Sequence, residues 1–283
     1  MHTSNQHKST AIAAPVLILG GKGRTGRRIA ERLNELRIPI RVASRSTSPA
    51  FDWNDRSTWA AAFEGMKAVY IAYQPDLAVP GAPDDIAAIT EQAKKSGIGK
   101  IVLLSGRGEE EAQVCEQIVI KGGIDYTILR CSWFFQNFSE SVFQEPLQAG
   151  LLALPAGDVK EPFVDADDIA DVAVAAFTDP KHSNQLYELT GPHLLSFREV
   201  TDEIAKATGR DIRYQNITID EYTGKLREYG LPDEYVKFIV YLFTELFDGR
   251  NASLTSGVQQ ALNRAPTDIS VFVKNNLSSG VWN

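Results

Sequence analysis

One segment constrains this chain more than any other: Val16-Leu17-Ile18-Leu19-Gly20-Gly21-Lys22-Gly23-Arg24-Thr25-Gly26-Arg27-Arg28. A short apolar run enters glycines at 20, 23 and 26, and a helix-forming stretch from Arg28 to Leu36 follows at once. Strand, tight turn and helix in that order open a dinucleotide-binding βαβ unit. Gly20 can turn the chain without a Cβ clash, and Gly23 lets a pyrophosphate approach the backbone. Gly26 lets the new helix pack on the sheet, while the helix's unpaired N–H groups and dipole face the phosphates.

The second strand selects the nucleotide. Pro39-Ile40-Arg41-Val42-Ala43-Ser44-Arg45 begins about 20 residues after the glycine loop, where an NAD-specific site places an acid on the ribose 2′-hydroxyl. No acid is present. Ser44, Arg45 and Ser46 offer hydroxyls and a guanidinium fork, which suit a 2′-phosphate, so NADP(H) is the expected cofactor. Asp52, in Ala50-Phe51-Asp52-Trp53, either reaches the adenine amino group or is a turn carboxylate.

Beyond this unit, strands and helices alternate. Val69–Tyr73, Ile101–Ser105, Asp125–Arg130 and Asn184–Leu189 read as strands, with helices from about Asp84 to Lys95 and from near Glu109. Short apolar runs separated by helices predict an α/β, Rossmann-type, doubly wound parallel sheet. A polar tail over 1–14, a nucleotide-binding core over 15–132 and a C-terminal part over 133–283 that completes the sheet and forms the substrate pocket make one integrated body. Glu109, Glu110 and Glu111 read as acids complementing a helix start rather than as a metal cluster. Asp165 or Asp167 reads as the N-cap of a helix over Ile169–Phe177. The stripe Tyr235, Phe238, Ile239, Leu242, Phe243, Leu246, Phe247 keeps helical spacing. It is core, or else a pocket lid or dimer face.

The formal charge of −7 argues against nucleic acid or an anionic membrane as partner. His2, His7, His182 and His193 form no ligand-spaced set, so no metal site is expected. Cys115 and Cys131 make no disulfide framework, and Cys115 reads as a small buried hydrophobe. The first residues lack the apolar core of a signal peptide and nothing approaches a membrane span, so a reducing cytoplasm is the expected home.

Five segments carry a family resemblance: the glycine loop, Asp125–Arg130, Ser132-Trp133-Phe134-Phe135-Gln136-Asn137, Pro162–Ala170 and Leu189–Phe197. From Val16 on, the chain resembles the NmrA-like branch of the atypical short-chain dehydrogenase/reductases. Ser46-Thr47-Ser48 with Phe51-Asp52-Trp53, and Gly191-Pro192-His193-Leu194-Leu195-Ser196, most resemble the ergot-alkaloid festuclavine/agroclavine dehydrogenases and their bacterial relatives. The branch also holds quinone, azo-dye and triphenylmethane-dye reductases, and non-catalytic redox sensors. The resemblance implies a pyrophosphate held at Gly20, Gly23, Arg24, Thr25 and Gly26, and a 2′-phosphate at Ser44 and Arg45. Asp52, Trp53 and Ala72 join the cofactor-binding set, and Tyr73 and Ser105 lie beside the nicotinamide ribose and ring. Trp133, Phe134 and Asn137 border cofactor and substrate, with Phe238 and Leu242 completing the substrate pocket.

One departure from ordinary short-chain reductases bears on the chemistry. None of the nine tyrosines has a lysine four residues later. The Tyr–Lys pair that protonates a carbonyl oxygen as hydride arrives is therefore missing. An acceptor that is already electrophilic, such as an iminium, a quinone or a cationic dye, does not need it, and the protein then supplies proximity and exclusion of water. Ser105 is the one catalytic candidate, as a hydrogen-bond donor. Reduction by NADPH of an activated C=N, C=C or quinoid bond in a small apolar molecule is the first reading, with the protein a monomer or homodimer. A non-catalytic NADP(H) sensor is the second, and isomerases or lyases of this fold are a third. An open apolar cleft walled by Trp133, Phe134 and the 235–247 helix favours the reductase, and a polar or collapsed one the sensor.

Overall fold

A computed structural model describes residues 14–283; all but the last residue of the expected tail lies outside the described residues. The strands are β1 (Val16–Leu19), β2 (Ile40–Ala43), β3 (Ala68–Ile71), β4 (Lys100–Gly106), β5 (Asp125–Cys131), β6 (Leu151–Leu154), β7 (Gln185–Leu189) and β8 (Arg213–Asn216). The helices are α1 (Arg24–Glu35), α2 (Trp59–Phe63), α3 (Ala82–Lys95), α4 (Glu110–Lys121), α5 (Gln144–Gln148) and α6 (Ala166–Thr178). They continue as α7 (Phe197–Thr208), α8 (Ile219–Glu228), α9 (Asp233–Tyr241), α10 (Gly257–Leu262) and α11 (Ile269–Leu277).

Six strands form one parallel sheet in the order β2-β1-β3-β4-β5-β7. Alternation within β1 explains why it must lie inside the sheet, flanked by β2 and β3. Leu17 and Leu19 enter the core on one face of the sheet and Val16 and Ile18 the core on the other, and all four are buried. A strand apolar on both faces needs helices on both, which is the doubly wound arrangement. The chain leaves β1 for β2 on one side and returns to β3 on the other, so a crevice opens at the carboxyl ends of β1 and β3.

The first helix starts four residues before the expected Arg28, because the turn after Gly23 is already helical. It is tied to α6 by ion pairs: Arg32 to Asp167 at 2.5 Å and to Asp171 at 2.7 Å. Asp165 is the N-cap of α6, its side chain accepting the N–H of Asp167. A third core, built from Phe135, Phe138, Phe163, Phe197, Phe243, Phe272 and Trp282, joins the two-stranded β6–β8 sheet to the C-terminal helices. The 235–247 stripe is not one regular helix: α9 ends at Tyr241, and Leu242–Leu246 forms a π-turn. That extra residue per turn rotates the stripe, burying Phe243, Leu246 and Phe247 while Phe238 and Leu242 stay partly open. Among the described residues, no helix is long and apolar enough to cross a membrane.

Candidate functional site

The segments that follow β1, β3, β4 and β5 meet α8 and α9 around a cavity of about 410 Å³. Its floor is the glycine turn. Gly20 has φ +81°, a conformation that β-carbons disfavour, and a Cβ there would stand 3.0 Å from the Ala72 Cβ. At Gly26 a Cβ would stand 2.4 Å from the Gly20 carbonyl oxygen, so only glycine lets α1 close onto the loop. No acid occupies the first turn of α1. A pyrophosphate would meet N–H groups and a positive dipole end without a competing carboxylate, so the cradle fits the dinucleotide that the sequence implies.

Cation density gathers at the end of β2. Arg45 is exposed there, and Lys22, exposed in the glycine loop, donates from Nζ to Ser46 Oγ at 2.6 Å. Ser46 in turn lies 3.2 Å from Ser44, hydroxyl to hydroxyl. Spacing does not single out Lys22, although it stands inside the glycine motif, because only the fold brings it to Ser46. Asp52 takes the turn geometry, its carboxylate accepting the N–H of Asn54 at 3.0 Å. Trp53 packs edge-on against Tyr73 at 4.7 Å between centroids, and the Tyr73 hydroxyl donates to Asp85 at 2.8 Å. Burial and that carboxylate both push the Tyr73 phenol up.

Of the residues singled out in the sequence, Gly20, Gly23, Arg24, Thr25, Ala72, Tyr73, Ser105, Trp133, Phe134, Asn137, Phe238 and Leu242 line the cavity. Gly26, Ser44, Arg45, Asp52 and Trp53 lie outside its lining. Arg24 donates to the Asn137 side chain and sits 5.5 Å over the Phe134 ring. Thr25 is buried and accepts from Tyr70 at 2.8 Å. Trp133 is wedged against Phe197, Phe243 and Phe247 at centroid distances of 5.6, 5.7 and 5.7 Å.

Ser105 calls for a correction. Its hydroxyl donates at 2.6 Å to the buried Glu116, whose carboxylate also holds Arg130. The proton expected to point at a substrate is already committed inside the protein. Cys115 is buried, with its thiol pushed up to about 12 by that burial, as a small hydrophobe should be.

Glu109 requires a second correction. It precedes α4 and makes no capping bond, and only Glu110 and Glu111 occupy the first turn. Its side chain turns instead into the cavity wall, where Asp76 also lies. Burial first, and Asp76 second, push the Glu109 carboxyl up to about 9. A helix dipole cannot hold a carboxylate that is out of water beside another acid. Among the described residues no cluster of metal-ligating side chains occurs.

Comparison with known proteins agrees with this geometry. Residues 109–272 match the NmrA-like family, and residues 20–180 match an NAD(P)H-binding family. The chain is 31% identical to the uncharacterized oxidoreductase YesF of Bacillus subtilis, over 91% of this chain and 93% of that one. It is 29% identical to an agroclavine dehydrogenase of Claviceps fusiformis, over 94% of this chain and 98% of that one. The structure of a Citrobacter triphenylmethane reductase complexed with NADP(H) superposes with a TM-score of 0.78 at 18% identity, covering 92% of this chain and 99% of that one. With the glycine cradle, the parallel sheet and these matches in place, the chain is an NAD(P)H-binding oxidoreductase of the NmrA-like family.

Proposed function

We propose that this protein is an NADPH-dependent reductase that delivers hydride to an activated C=N, C=C or quinoid bond of a small, largely apolar molecule. The observation that carries this reading is one cavity with the glycine cradle at its floor and aromatic rings at its far wall. Gly20, Gly23 and the N-terminus of α1 hold the pyrophosphate, and Arg45, Lys22, Ser44 and Ser46 take the 2′-phosphate. Bound NADPH supplies the hydride. Tyr73 and Ser105 flank the nicotinamide end, and Ser105 positions the β4 backbone through Glu116 rather than donating to substrate. Trp133, Phe134, Phe238 and Leu242 present apolar surface to the acceptor and exclude water, and Arg24 with Asn137 closes the boundary between cofactor and substrate. The Claviceps relative is named a dehydrogenase, which supports hydride chemistry on a small molecule. The open, aromatic-walled cleft is also the feature that favours a reductase over a sensor. The test follows NADPH absorbance with purified protein and a panel of acceptors: a small quinone, a cationic triphenylmethane dye, a preformed cyclic iminium and a simple ketone. Turnover of the first three with little on the ketone is expected. Tight NADPH binding with no turnover of any acceptor would overturn the reading in favour of a sensor.

A further inference from the structure

Asp76 and Glu109 stand on two neighbouring strand ends, the loops after β3 and β4, and both line the cavity. Glu109 and Asp76 face the same space from these two loops, and the neighbouring acid helps to raise the Glu109 carboxyl. Two carboxylates removed from water side by side cannot both stay ionised without a cation between them, so one of them holds a proton. Asp76 is the better-supported anion, since Oδ1 accepts the Ala78 N–H at 2.9 Å. Glu109 is only 6% exposed, and its Oε2 has no hydrogen-bond partner among the described residues. Gly106 makes room for it: a Cβ there would stand 2.2 Å from Oε2.

Among the described residues, the surroundings supply no counter-charge. From α4, Glu111 and Glu116 face the pair, and Glu116 is spent on Arg130 and Ser105. Cys115 of α4 faces Asp76, and Tyr241 of α9 approaches with its hydroxyl donated to Glu111 at 3.0 Å. Arg107 turns away to the carbonyls of Asn251 and Ser253 and to Glu188.

We propose that the Asp76–Glu109 pair is the proton donor of this cavity, serving acceptors whose oxygen gathers negative charge as hydride arrives, the task left open by the missing tyrosine and lysine. This rests on the reductase reading above. A quinone is electrophilic enough to take hydride without the tyrosine and lysine, but unlike a cationic dye it is left with charge on an oxygen: NADPH, when bound, would give up hydride and become oxidised while the quinone ring is reduced. The Glu109 O–H bond breaks, a new O–H bond forms on that oxygen, and the carboxylate left behind takes its next proton from water. Quinone, hydride and proton balance to a hydroquinone. A cationic dye becomes neutral on accepting hydride alone and makes no demand on the pair.

Glu109→Gln and Asp76→Asn should each lower kcat on a small neutral quinone by on the order of 10²-fold or more, with a much smaller loss on a triphenylmethane dye. In the unsubstituted protein, quinone turnover should hold steady and then fall as pH rises through about 9, where the carboxyl of Glu109 loses its proton. Infrared spectroscopy of the cofactor-free protein at neutral pH should show a protonated carboxyl band that Glu109→Gln removes. Equal losses on quinone and dye, a quinone rate flat through pH 10, or no such band would each overturn the proposal. Silence on both acceptors with NADPH bound would overturn the reductase reading and the donor role with it, while the infrared band still reported the state of the pair.

Discussion

Replacing Glu109 with glutamine should stabilise the fold, and increasingly so as pH rises. The carboxyl of Glu109 ordinarily titrates near 4.5, but in the folded protein it is pushed up to about 9. Between those values the unfolded chain has released the proton and the native state still holds it. The native state therefore binds more protons, and stability falls with rising pH across that window before levelling off above it. At about 1.4 kcal/mol per unit, the cost at pH 7 comes to about 3 kcal/mol. Glutamine has the shape of the protonated acid and no charge to desolvate, so Glu109→Gln removes that cost. For a chain of this size the gain corresponds to roughly 6–12 °C in Tm at pH 7, shrinking to nothing in mild acid near pH 4.5. Thermal unfolding followed by circular dichroism at pH 4.5, 6, 7 and 8.5 measures it. A variant less stable than the parent at pH 8.5, or a gap that does not change with pH, would refute the claim that Glu109 is buried as a neutral acid.

Three further outcomes are expected. Arg45→Ala should weaken NADPH binding by about ten- to a hundredfold, the worth of a charge-assisted contact, and leave NADH nearly unchanged, with Lys22→Ala acting in the same direction; calorimetry showing equal losses for both cofactors removes the 2′-phosphate assignment. Gly23→Val should abolish NADPH binding while the circular dichroism spectrum stays intact, because a Cβ at 23 meets only the Gly20 oxygen at 3.2 Å, whereas Gly26→Ala should lower Tm as well. Ser105→Ala should cost less than about tenfold in kcat and about 1.5–3 kcal/mol in stability, since its hydroxyl serves Glu116; a loss of the size expected for a general acid would restore its catalytic role.

How much of this protein could be read from its residues follows from the range of the interactions concerned. The glycine turn, the apolar run Val16–Leu19 and a helix N-cap at Asp165 or Asp167 are decided within a few residues, so spacing alone carries them, and the structure selects Asp165. Alternation of such units dictated the parallel sheet, because strands apolar on both faces must be covered twice. The missing acid after β2 was likewise legible, since it depends on one position relative to one motif. The tertiary structure decided everything that couples distant segments. Arg24 meets Asn137 across 113 positions, and Lys22 reaches Ser46 across 24. A π-turn at Leu242–Leu246 apportions the aromatic stripe between core and cavity, which helical periodicity could not express. Ser105 and Glu109 show the limit most sharply. The local setting of each, a serine ending a strand and an acid starting a helix, says nothing of the partner it meets. In the fold, Ser105 is bonded to Glu116, and Glu109 is buried in the cavity wall that Asp76 shares. A side chain's proton is governed by the dielectric and the partners around it, and those exist only once the strand ends have converged.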